Sequence, residues 1–63
     1  MDVIQESDTR QKAVEVVEAC GEWFVHVVEG DQASNISFEL EALALVYAEG
    51  QRKRLGLDKV MRL

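Results

Sequence analysis

Residues 13–30 hold two valine-rich runs back to back, AVEVVEA and EWFVHVVEG, separated only by Cys20 and Gly21. Three valines in nine residues beside an aromatic pair fit a pleated surface, so the second run predicts a strand. The first run has a competing reading, because Ser7 is placed to cap a helix over residues 8–20 that ends at Gly21. Pairing favours a strand. With Cys20 and Gly21 as a two-residue hairpin turn, Glu18 faces Trp23, Val16 faces Val25 and Val14 faces Val27. One face of the hairpin then carries Val14, Val16, Trp23, Val25 and Val27. The other carries Ala13, Glu15, Val17, Phe24, His26 and Val28. A sheet that is apolar on both faces needs two covers.

After Gly30 and Asp31 the segment ASNISF alternates, with Ile36 and Phe38 on one side and Asn35 and Ser37 on the other, which predicts a short third strand. From Glu39 the period changes. Leu40, Leu43, Ala44, Tyr47, Ala48, Gln51 and Leu55 follow helical spacing and predict an amphipathic helix. Ser37 or its neighbour is expected to cap the start, with Glu39 and Glu41 at the positive end of the helix dipole and Arg52, Lys53 and Arg54 at the negative end. Gly56 reads as a left-handed terminator, with Leu57 making the accompanying apolar contact. The tail, residues 57–63, contains Val60, Met61 and Leu63 and is too apolar for a solvated end. The first eleven residues are polar apart from Val3 and Ile4, and are expected to be mobile unless a partner pins them.

The expected class is therefore α+β: a small three-stranded antiparallel sheet in β-β-β-α order, with one C-terminal helix on one face and an apolar tail. The chain has 63 residues, one domain at most, near the size where a lone core barely stabilises a fold. Small folds usually compensate with disulfides, a structural metal or oligomerisation. Cys20 is the only cysteine and His26 the only histidine, so an intrachain disulfide is excluded and a tetrahedral zinc site lacks ligands. Oligomerisation remains, and a homodimer is the commonest form. The uncovered second sheet face points the same way.

Hydrophobic residues make up 48% of the chain and charged residues 30%, a globular rather than a disordered balance. Proline is absent, and no linker, repeat or low-complexity tract divides the chain. No apolar stretch is long enough to cross a membrane, and the N-terminus has no signal-peptide pattern, so a cytoplasmic location is expected. The net charge of −5 is unevenly spread. Residues 1–49 carry eleven acids against Arg10 and Lys12, a balance of −9, whereas residues 50–63 carry five bases against Asp58, a balance of +4.

Candidate chemistry is sparse. His26 falls opposite Glu15, a pairing that could serve as a base, but a strand histidine beside a glutamate is more often a surface or interface residue and the other parts of an active site are missing. With Tyr47, these are the only conceivable catalytic participants. Cys20 has no adjacent base to activate it, so it reads as inert. Arg52, Lys53 and Arg54 are candidates for an anion contact. They lie at the helix end that anions avoid, and the acidic strands repel a duplex, so nucleic acid is not the expected partner. Trp23, Phe24, Phe38 and Tyr47 are expected to pack rather than to stack on bases.

The order of strands followed by a helix loosely resembles small sheet-plus-helix modules of bacteria and phages. DNA-reading three-stranded domains share that outline, but their reading sheets are basic and this one is acidic. The expected function is that of a non-enzymatic homodimeric protein-interaction or accessory regulatory protein, with no cofactor and no metal. Its partners would be a second copy of itself and another protein, and its candidate interface residues are Val17, Phe24, His26, Val28, Val60, Met61 and Leu63. The alternative is a nucleic-acid-linked regulator acting through the basic cluster.

Overall fold

The computed structural model describes residues 11–63. Two eight-residue strands, β1 (Lys12–Ala19) and β2 (Glu22–Glu29), are followed by β3 (Gln32–Phe38), a helix α1 (Glu41–Leu55) and a two-residue strand β4 (Met61–Arg62). The sheet order is β3-β2-β1-β4. The run 13–19 is thus a strand, and the helical alternative for residues 8–20 is excluded over its described part. The expected mobility of the N-terminal segment, residues 1–11, falls outside the described residues except at Gln11. Gln11 accepts a hydrogen bond from the Gly30 amide at 2.7 Å and continues the β1–β2 ladder.

The hairpin register is the expected one, with Glu18 opposite Trp23, Val16 opposite Val25 and Val14 opposite Val27. Its turn places Cys20 at φ 54° and Gly21 at φ 80°. Two successive positive φ values match the right-handed twist of the flanking strands, as in a type I′ turn. The Gly21 amide is also held by the Glu18 carboxylate at 3.2 Å. A second two-residue turn, Gly30 and Asp31, leads into β3, which pairs with β2 from Glu29 opposite Gln32 to Trp23 opposite Phe38.

The core lies on one face of the sheet. Val14, Val16, Val25 and Val27 meet Ala44, Ala48 and Leu55 of α1, all buried. Alanine at the two fully buried helix positions lets the helix backbone settle directly on the valines. Trp23, Phe38, Leu45, Tyr47, Leu57 and Val60 ring this centre, with the Phe38 and Tyr47 rings 5.5 Å apart.

Three expectations need correction. The sheet has four strands and is mixed, because the tail returns to pair β4 parallel to β1, with Glu15 opposite Met61 and Val16 opposite Arg62. The Leu63 amide then donates to the Val16 carbonyl at 3.0 Å. This pairing joins distant parts of the chain, and a two-residue strand has no periodicity to announce it. Second, neither Ser37 nor a neighbour caps the helix through its side chain. Leu40 occupies the cap position with extended backbone, φ −118° and ψ 136°. Third, Leu40 and Leu43 are exposed. The buried stripe is Ala44, Ala48 and Leu55, which turns Leu43 away by about 100°.

The helix end follows the expected pattern. Gly56 is left-handed at φ 73°, its amide bonds the Lys53 carbonyl at 3.2 Å, and the Leu57 amide bonds that of Arg52 at 3.0 Å, a Schellman closure. The Arg52 guanidinium also donates to the Leu57 carbonyl at 2.9 Å, which fixes where the tail departs.

The hairpin turn makes a direct test. Cys20→Asn should raise stability by up to about 1 kcal/mol, because asparagine tolerates the left-handed region better. Gly21→Ala should lower it by about 1 kcal/mol although no atom stands within 4 Å of the added methyl, so backbone conformation alone decides the result. Urea unfolding of both variants, with unchanged m-values, measures the pair.

Candidate interaction surface

The face of the sheet opposite α1 has three central rows across the strands, beyond which Ala19 and Glu22 pair at the turn. Register places Ala33, Val28 and Ala13 in one row; Asn35, His26, Glu15 and Met61 in the next; and Ser37, Phe24 and Val17 in the third. On β1 and β2 these side chains are half-buried by one another, while those of β3 are exposed. The one helix among the described residues lies on the other side, so Val17, Phe24 and Val28 have no helical cover. Two acids, Glu15 and Glu22, share this face, and Glu29 does not. Glu29 turns to the helix side and pairs with Arg54 at 3.2 Å.

The candidate interface residues divide accordingly. Val17, Phe24, His26, Val28 and Met61 share the open face. Val60 lies on the core side, packed around the central cluster, and Leu63 is largely exposed beyond β4. Ala33, Asn35 and Ser37 complete the open face. Alternation in β3 already separates Asn35 and Ser37 from Ile36, whereas the place of Met61 depends on a long-range parallel pairing that no local pattern reveals.

His26 and Glu15 are opposed as expected, yet no hydrogen bond or ion pair among the described residues joins them. Tyr47 is on the helix side, across the sheet from both. The structure therefore does not bring the three conceivable catalytic participants together. Cys20 is exposed at the hairpin tip. No group of three or more His, Cys, Asp or Glu side chains among the described residues is arranged to hold a metal ion.

The basic cluster is largely engaged within the molecule. Arg52 bonds the Glu49 carboxylate at 2.9 Å besides capping the helix end. Arg54 bridges Glu29 and donates to Gln51 at 2.9 and 3.1 Å. Further along, Arg62 reaches Glu41 at 2.7 Å and lies 5.9 Å from the centre of the Trp23 ring. The positive C-terminal portion thus folds back on the negative remainder. A surface groove between α1 and the tail, lined by Glu49, Arg52, Asp58, Lys59 and Arg62 with Leu45 and Val60, mixes both signs and presents no single charge to a ligand.

No helix among the described residues is long and apolar enough to cross a membrane. No protein-family model, curated protein or solved structure matches this chain.

Because the two sides of one strand differ in cover, neighbouring substitutions should diverge. Val25→Ala, at a fully buried position, should lower stability by about 2–3 kcal/mol. Phe24→Thr, one residue earlier on the open face, should change it by less than about 1 kcal/mol in dilute solution, since it removes only cross-strand contact. Chemical denaturation at low micromolar protein distinguishes them.

Proposed function

We propose that this chain is a non-enzymatic, homodimeric interaction protein whose open sheet face is the contact surface for another protein. The observation that carries the reading is the adjacent pair Val17 and Phe24, with Val28 beyond the row of His26 and Glu15, on a sheet face that no helix among the described residues covers. Apolar surface left open in this way on a small domain marks an interaction site. Phe24 at its centre is the type of aromatic anchor that concentrates binding energy, and Glu15 and Glu22 beside it favour a partner with basic groups around an apolar centre.

Self-association is supported by the modest core, in which four valines, two alanines and a leucine are the buried residues among those described. A cytoplasmic, accessory regulatory role accords with the free thiol and the scarcity of chemistry-bearing clusters. The alternative of a nucleic-acid-linked regulator has less support, because Arg52 and Arg54 are occupied by Glu49, Glu29 and Gln51.

Immobilised chain should retain a defined protein from its native host. Phe24→Lys and Met61→Lys should both lose that protein, each by charging the open face. Equal retention by the folded Phe24→Lys variant would show that the open face is not the contact surface. Retention on heparin at low salt, abolished when Arg52, Lys53 and Arg54 become alanine, would instead establish the nucleic-acid reading.

A further inference from the structure

The open face is bounded on one side by β3, whose outer edge carries a specific pattern of backbone groups that no strand among the described residues meets. In a two-residue hairpin the residues flanking the turn form a hydrogen-bonded pair, and bonded and non-bonded pairs then alternate. Glu29 and Gln32 flank the second turn, so Gln32, Ser34, Ile36 and Phe38 direct their backbone groups inward to β2. Ala33, Asn35 and Ser37 direct theirs outward. The same alternation from the first turn points Val16 outward on β1, where its carbonyl does accept from Leu63.

Nothing on this edge discourages pairing. Exposed edges are usually blunted by proline, lysine, an inward charge, a bulge or brevity. β3 is seven residues long, pairs with β2 without interruption, and reads QASNISF, with neither charge nor proline. The opposite edge, β4, has only two residues, one of them Arg62. Two large apolar side chains are exposed on the β3 side of the molecule: Ile36 at 39%, and Leu43, one helical turn before the Tyr47 that packs on Phe38.

Resting on the homodimer of the preceding reading, we infer that two copies join edge to edge through antiparallel β3 strands, with Asn35 opposite Asn35 of the second copy on the two-fold axis. This register follows from matching the groups. It pairs Ala33 with Ser37 of the other copy and engages every outward amide and carbonyl of the three residues. A shift by two residues in either direction leaves Ala33 or Ser37 unmatched. Because directly opposed residues in antiparallel strands share a face, both helices fall on one side of a continuous eight-stranded sheet and both open faces on the other. Ile36 lies over Ser34 of the second copy, close to the second Ile36, and loses its exposure. Asp31 and Glu39 meet at each end of the ladder, so association should strengthen with added salt.

Sedimentation across micromolar to millimolar concentration, with and without salt, tests this. Asn35→Pro removes an outward amide and leaves pairing with β2 intact, so the variant should keep its far-ultraviolet dichroism and lose at least about tenfold in dimer affinity. Crosslinking gives a second readout. In a Cys20→Ser background, Asn35→Cys should form a disulfide-linked dimer under mild oxidation, since paired Cα atoms at such a rung lie about 5.5 Å apart. Ser37→Cys should not, because the two copies of that position are separated by about 14 Å along the strands. A dimer insensitive to Asn35→Pro but lost in Phe24→Lys would overturn the edge pairing while preserving a homodimer. A monomer at every concentration would overturn both, and equal crosslinking of the two cysteine variants would remove the register.

Discussion

Ala44 and Ala48 are the two fully buried positions of α1 against the sheet, and the rest of the molecule follows from how few atoms they place there. With methyl groups at the point of contact, the helix sits low over Val14, Val16, Val25 and Val27, and one fifteen-residue helix suffices to seal that face. The same close seat sets the helix rotation. Leu45 and Tyr47 become the flanks of the core, and Leu43 and Val46 are carried out into solvent. Larger side chains at 44 and 48 would lift the helix, open the valine layer to water and detach the ring of Trp23, Phe38 and Leu57 around it.

The sheet has a second apolar face, and no second helix is available among the described residues to cover it. Its centre is held together by cross-strand contacts such as Val17 with Phe24, which make the surface well formed without burying it. The ion pairs act elsewhere. Arg62 with Glu41 ties β4 to the start of the helix, Arg54 with Glu29 ties the helix end to β2, and Arg52 holds the departing tail. Such exposed pairs contribute little stability individually. Their placement leaves the helix side internally paired, while the open face sets Val17, Phe24, Val28 and Met61 around a central Glu15 and His26.

Much of this arrangement was legible in the sequence wherever the determinants are local. Alternating valines around Cys20 and Gly21 specify the hairpin and its register, because a slip of one residue would exchange the two faces. Gly56 and Leu57 announce the helix end for the same reason. The start of the helix was less legible: Ser37 is a good capping residue by type, but β3 retains it through pairing with Phe24, and Leu40 takes the cap position by default. Leu40 and Leu43 misled because a helical repeat identifies a set of apolar positions without saying which part of it meets the sheet. β4 was hidden, since its position depends on β1 far away in the chain. For the candidate surface, Val17, Phe24, His26 and Val28 could be placed by alternation alone, whereas the separation of Met61 from Val60 required the fourth strand.

The parallel attachment of β4 also bears on the order in which the molecule assembles. The meander of β1, β2 and β3 and the helix after it form through neighbours in sequence, which close short loops quickly. β4 closes the longest loop in the described chain for only two rungs of pairing, so loop-closure entropy weighs most heavily on this attachment. That attachment covers the backbone edge of β1 at Val16 and brings Met61 onto the open face. The extent of that surface is thus set by a strand the hairpin does not itself contain.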